Sequence, residues 1–320
     1  MKKFISIFLA LALCFSVLSG CSGAKKADDG KLNIVTTIFP EYDWLKNITE
    51  GAQDVELTLL LDSGADLHSY QPTAGDIVKI SDCDVFVYVG GESDQWVEEV
   101  LSGAVNKNML VINLLDELGT KVKEEEIVEG MQSERGEKDE SEYDEHVWLS
   151  LKNAATLCGR ISDKLCEADE KNSAVYSKNT EEYLKKLSAL DKEYRDARDI
   201  AKYTTLIFAD RFPFRYLTDD YNLHYYAAFS GCSAESEASF ETVAFLANKL
   251  DELKLPAVIK LDGSNGKLAE TVIKASKDKN AETLELDSMQ SITSEEIKNG
   301  KSYLDIMESN LAVLKKAIKE

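Results

Sequence analysis

Histidine is scarce in this chain: three occur in 320 residues, so each can be weighed individually as a candidate ligand or base. Basic residues are outnumbered as well, 37 Lys and Arg against 58 Asp and Glu, for a formal net charge of −21. A surface of that sign repels nucleic acid and anionic headgroups, and it draws cations toward itself. The six cysteines contain no CxxC pair and no zinc-ribbon spacing, which removes the common structural zinc frameworks. Cys83, Cys158, Cys166 and Cys232 therefore read mainly as buried apolar side chains, and sequence cannot pair them even where an oxidising compartment would allow a bridge. The HExxH helix and the serine-nucleophile motif are both missing, so no standard hydrolase signature is present. Beyond Leu18 no apolar run is long enough to span a bilayer.

The amino terminus holds an apolar run too short to span a bilayer comfortably. Met1-Lys2-Lys3 precedes an apolar stretch from Phe4 to Leu18, and Leu18-Ser19-Gly20-Cys21 follows. This is the anatomy of a secretory leader, and a cysteine directly after Leu-Ser-Gly resembles a bacterial lipobox with lipid carried on Cys21. We expect a leader over residues 1–20 and a small polar tether over 21–30. The folded body would then be lipid-anchored at the extracytoplasmic face of the cell membrane. The remainder is too long for one small core and suggests two lobes.

The body opens with Lys31-Leu-Asn-Ile-Val-Thr-Thr-Ile-Phe39, rich in β-branched residues and stopped by Pro40, which predicts a buried strand. Strand-like runs recur over residues 55–61, 84–90 and 109–114. Helix-like runs over 41–49, 76–81 and 92–101 separate them. Such alternation implies a parallel sheet with helices on both faces, whose ligands bind beyond the carboxyl ends of the strands. His68 falls in a loop after the second of these strands. Residues 116–145 hold thirteen Asp and Glu against four Lys and Arg, with few apolar side chains, and predict a mobile acidic loop that could collect cations loosely. His146 follows it directly, in Tyr143-Asp-Glu-His146-Val-Trp-Leu-Ser150. Taken alone, this histidine reads first as a capping or core residue at the start of a helix, with a metal ligand as the alternative.

Gly64-Ala-Asp-Leu-His68-Ser-Tyr-Gln-Pro72 and Asp144-Glu-His146-Val-Trp-Leu149, in that order, resemble the two histidine motifs of the solute-binding proteins of zinc and manganese ABC importers. The likeness extends from about Lys31 to the carboxyl end. It implies an α/β fold of two lobes, each with a parallel-type sheet flanked by helices, joined by one long rigid helix with the metal buried between the lobes. The boundaries it suggests are 31–169, 170–203 for the linking helix, and 204–320. Residues 172–203 support that helix independently: they lack Pro and Gly, and Tyr176, Tyr183, Leu187, Leu190, Tyr194, Ala197 and Ala201 recur at helical spacing. Zinc-branch relatives commonly carry histidines in the loop before the second motif, and residues 116–145 carry none.

The resemblance implies His68 and His146 as the first two ligands and an importer permease with its ATPase as partners. By register its third ligand falls on Arg211, which stays protonated and has no lone pair to offer. Asp210 is the neighbouring alternative, with Glu235 or Glu237 as rivals and a helix N-cap as its structural role. Asp287 is the expected fourth ligand, from an Asp-Ser pair ahead of Gly300-Lys-Ser-Tyr303 and Asn310-Leu311. Two imidazoles and two carboxylates would neutralise a buried divalent cation, with zinc as the transported ligand and manganese as the alternative. A closed site of this kind binds rather than catalyses, so we expect no enzyme. A metal-dependent surface hydrolase and an adhesin are the rival classes. A monomer with no nucleic-acid partner completes the expectation.

Overall fold

The β-branched run Leu32–Thr36 forms strand β1, buried over its last three residues. Pro40 then lies in the first turn of helix α1 (Phe39–Ile48), where a missing amide donor costs nothing. Strands β2 (Val55–Leu59), β3 (Val85–Tyr88) and β4 (Leu110–Asn113) join β1 in a sheet of order β2-β1-β3-β4, with every neighbouring pair parallel. Helices α2 (Ala74–Asp82), α3 (Trp96–Gly103) and α4 (Leu114–Leu118) connect and follow these strands. A reciprocal cap between Thr73 and Asp76 starts α2.

The computed structural model describes residues 30–132, 143–233 and 237–319. The leader, Cys21, nearly all of the tether, part of the acidic segment and Glu235 lie outside the described residues. No helix among the described residues is long and apolar enough to cross a membrane. No disulfide joins Cys83, Cys158, Cys166 or Cys232.

Helix α5 (Leu151–Ala168) packs along α6 (Ser173–Asp199), a helix of 27 residues and so roughly 40 Å long. Tyr176, Tyr183, Leu187, Leu190, Tyr194 and Ala197 form its buried stripe, at the three- and four-residue spacing read in the sequence. The helix stops before Ala201, because the chain there turns to dock on the last helix: the Lys202 and Tyr203 amides both donate to the Ile318 carbonyl.

The second sheet repeats the first. Strands β5 (Thr205–Phe212), β6 (His224–Ser230), β7 (Ala257–Leu261) and β8 (Glu282–Leu286) run parallel in the order β6-β5-β7-β8. Helices α7 (Arg215–Asp220), α8 (Phe240–Leu253), α9 (Lys267–Ala275) and α10 (Ser294–Lys298) follow them in turn. Helix α11 (Tyr303–Lys319) then crosses back to pack on α6 and α1. Tyr194 Oη donates to the Met307 carbonyl at 2.6 Å, and the Tyr303 amide donates to Asp43 at 3.1 Å. One buried cluster therefore contains Ile34 and Val85 of the first sheet together with Phe208 and Leu286 of the second. The lobes are held by α6, by α11 and by a shared core.

A wholly mobile acidic segment is not what is observed. In its described parts Met131 is buried, the Gln132 amide donates to Ala228 on edge strand β6, and the Asp144 amide donates to Lys123. Arg215 pairs with Glu126 at 2.7 Å. Hydrogen bonds and ion pairs to flanking elements supply the order that its few apolar residues could not.

Candidate metal centre

Edge strand β2 delivers His68. The chain leaves the sheet at Leu59, and Asp66 caps a short 3-10 turn, Leu67–Ser69, by accepting the His68 amide proton at 3.0 Å. The turn that carries the imidazole is thus fixed by its own backbone. Its Nδ1 lies 2.7 Å from Ser93 Oγ and 3.6 Å from a Glu145 carboxylate oxygen. Ser93 belongs to the loop after β3, and its amide also donates to Glu145 at 2.8 Å. Gly91 makes this packing feasible: its φ is +85°, and a Cβ there would lie 2.5 Å from Glu145 Oε1.

His146 sits at the end of the acidic segment and caps the 3-10 turn Val147–Leu149. It is completely buried, with Asp144 Oδ1 accepting from both its amide and its ring Nδ1 at 2.9 Å. Trp148 stacks obliquely on it, with ring centroids 5.3 Å apart, and the Trp148 indole donates to the Ser288 carbonyl beyond β8. The His146 turn is therefore clamped from both lobes.

The rings meet edge-on through their remaining nitrogens, His68 Nε2 and His146 Nε2 being 3.1 Å apart. Two nitrogens on one tetrahedral zinc, each at ~2.0–2.1 Å from it, would stand ~3.3 Å apart. Where both Nδ1 atoms carry the protons, toward Asp144 and the Ser93–Glu145 pair, the two Nε2 lone pairs face each other. That is repulsive unless a cation or a proton lies between them. Burial, and then the neighbouring His146, pushes the His68 pKa down to about 3. Burial also opposes protonation of His146, but the Asp144 carboxylate outweighs it and raises that imidazole above its ordinary value. His68 is thus presented neutral, as a metal requires.

Cys232 is a further potential donor, one that sequence reasoning did not mark. Among the described residues, the donor atoms of His68, His146 and Cys232 all lie within 4.8 Å of one another. The cysteine follows edge strand β6 in a turn held by its amide, which donates to Glu125 Oε1 at 3.0 Å. Gly231 before it has no room for a side chain, since a Cβ would lie 2.9 Å from both His146 Cε1 and the Phe212 carbonyl. A Gly-Cys pair just past a strand, where ligands gather in such folds, is the signal that could have marked it.

Among the described residues, the expected Asp210 and Asp287 are not brought into this group. Asp210 accepts from the Arg211 amide at 3.0 Å and from the Leu261 amide at 3.2 Å, so it ties β5 to β7. The register shift between Phe208 and Arg211 accompanies this inward turn. Asp287 accepts from the Met289 amide and pairs with Lys301 at 3.0 Å, which engages its carboxylate in the loop after β8. Glu237 is exposed, and His224, the third histidine, is exposed at the start of β6. Arg211 points instead at the first lobe, donating to Asp66 Oδ2 at 2.6 Å. Buried Gln290 has no protein partner for either amide atom. It lies between Ser288, bonded to Trp148, and Ser291, which packs on Gly64 of the His68 loop.

A family model described as zinc-uptake complex component A, periplasmic, matches residues 34–317. The chain is similar to the zinc-binding lipoprotein AdcA of Streptococcus pneumoniae serotype 4, with 36% identity over 321 residues. That match covers 98% of this chain and 61% of AdcA, so the chain spans less than two thirds of this relative's length. It is also similar to the high-affinity zinc uptake system protein ZnuA of Bacillus subtilis, at 29% identity over 99% of this chain and 98% of that protein. Among solved structures, the Zn(II)-bound ZnuA-like domain of S. pneumoniae AdcA superposes with a TM-score of 0.71 at 30% identity, covering 91% of this chain and all of that one. The Treponema pallidum protein TroA shares the fold, with a TM-score of 0.73 at 23% identity over 91% of this chain and all of that one.

Proposed function

The chain belongs to the zinc-uptake complex component A family, and we propose that it is the extracytoplasmic solute-binding component of a metal importer. It captures one zinc ion and presents it to an ABC permease driven by its ATPase. The observation that carries this reading is the pair of imidazole nitrogens 3.1 Å apart, each ring held from behind by a hydrogen bond to a side-chain oxygen. An outer partner of this kind fixes the tautomer and raises the basicity of a metal-bound imidazole. His68 and His146 are the ligands from the first lobe. Asp210 and Asp287, engaged with backbone amides and Lys301, frame the second lobe in this reading and do not touch the ion.

Zinc is preferred over manganese because two neutral nitrogen donors suit a borderline cation better than a hard one. The reading assigns capture and release, not turnover, to the site. A lipid on Cys21 would hold the protein at the membrane, next to its permease. Supporting this cargo, the relatives at 36% and 29% identity are named as zinc-binding and zinc-uptake proteins. Titration of metal-free protein with zinc against a competing chelator tests the proposal. One zinc should bind per chain, and His146→Ala should lower the affinity by orders of magnitude with the fold intact. A chain that binds no zinc, or a variant with unaltered affinity, would refute it.

A further inference from the structure

The two sheets have the same strand order, and each has as its edge the second strand of its own lobe. The loop after β2 carries His68, and the topologically equivalent loop after β6 carries Cys232. The equivalence extends to chemistry, since both loops bring one soft or borderline donor to His146. Asp210 and Asp287, the two carboxylates expected from the second lobe, are committed to amides and to Lys301. Arg211 cannot serve, and its guanidinium is paired to Asp66.

We propose that the Cys232 sulfur is the second lobe's ligand to the captured ion, making a site of two imidazoles and one thiolate. The proposal rests on the metal-capture reading above. Three features make Cys232 a built ligand. Its backbone is anchored on Glu125, the glycine before it allows the turn to press against the His146 ring, and its sulfur already lies within 4.8 Å of a ring nitrogen of each histidine. A tetrahedral zinc needs ~3.6 Å between sulfur and nitrogen, given Zn–S of ~2.3 Å and Zn–N of ~2.1 Å, so a small side-chain rotation closes the set. On binding, the Zn–S bond replaces the S–H bond and the proton leaves to solvent, while both imidazoles bind neutral. The thiolate lowers the charge of the site by one. Its softness favours zinc over manganese and leaves little affinity for magnesium or calcium.

The test uses the full mature chain and three proteins: wild type, Cys232→Ala and Cys232→Ser. Cobalt(II) is the spectroscopic probe, and zinc affinity is read by chelator competition. Wild type should show a thiolate-to-cobalt charge-transfer band in the near ultraviolet, and both variants should lose it. Both should also bind zinc at least ~100-fold more weakly, beyond the ~10–100-fold that loss of an outer-shell partner costs. The preference for zinc over manganese should narrow in parallel. Zinc should protect Cys232 of the wild type from alkylation, a readout that needs no variant to fold. If wild type binds zinc with no charge-transfer band and both variants keep its affinity, the cysteine assignment is overturned while the capture reading stands. If wild type binds no zinc at all, both are overturned.

Discussion

Arg211 at the carboxyl end of β5 donates to Asp66 at 2.6 Å, and Asp66 in turn accepts the His68 amide proton. One carboxylate thus fixes a histidine of the first lobe and a cation of the second. Burial alone would raise the Asp66 pKa, but Arg211 holds it below the ordinary carboxylate range.

Replacing Arg211 separates its two effects. Both side chains of the pair are about a quarter exposed, so Arg211→Ala should change stability by ~1 kcal/mol or less in urea titrations. Arg211→His places a third imidazole at the position where the resemblance puts a family ligand. We expect it to tighten zinc binding by ~10-fold or more, which is ~1.4 kcal/mol. Weaker binding by this variant would show that the position lies outside the ion's reach.

Asp144 accepts from His146 Nδ1 and holds the tautomer that exposes Nε2. Asp144→Asn keeps an acceptor but removes the charge. Zinc affinity should drop by ~10–100-fold, with little change in the melting temperature of the metal-free protein. Equal affinities by chelator competition would exclude the buttressing role.

Gly231 is a steric prediction. A methyl at this position meets His146 Cε1 and the Phe212 carbonyl at 2.9 Å, and a main-chain oxygen cannot yield as a side-chain end can. Gly231→Ala should displace the Cys232 turn, lowering both stability and zinc affinity. Calorimetry on an unchanged protein would refute the packing.

Asp43 gives a pH dependence away from the metal. Burial raises its pKa from 3.8 to about 6, although the Tyr303 amide and Lys46 favour its charge. A folded-state value above the unfolded one means stability that is full below pH ~4 and lost as pH rises through about 6. Asp43→Asn can still accept from the Tyr303 amide and removes that loss. The variant should gain up to ~3 kcal/mol over wild type at pH 7.5, at ~1.4 kcal/mol per pKa unit, and nothing at pH 4. Denaturant midpoints at the two pH values would decide; a gain at both would point to packing rather than charge.

The architecture was legible because its signals are local. In α8, for example, Ser239 supplies the N-cap and Lys254 ends the helix in a left-handed conformation. The long helix followed from periodicity and from the lack of Pro and Gly, although its end at Asp199 depended on docking to Ile318. The order in the described parts of the acidic segment was not legible, because it comes from partners distant in sequence. Arg215, Ala228 and Cys232 each anchor it, and none carries a mark that identifies its partner.

By itself, then, the sequence determined the alternation of strands and helices, the stiff connector and the two histidine motifs. Burial periodicity, caps and short motifs are written within a few turns of chain. Only the tertiary structure brought the Cys232 sulfur, the donor proposed for the second lobe, beside the two imidazoles. Whether a side chain reaches a site depends on strand register and on what else claims it. The irregular register of β5 accompanies the turn of Asp210 onto the Leu261 amide, Asp66 engages Arg211, and a glycine small enough to touch His146 brings the Cys232 sulfur to the imidazoles.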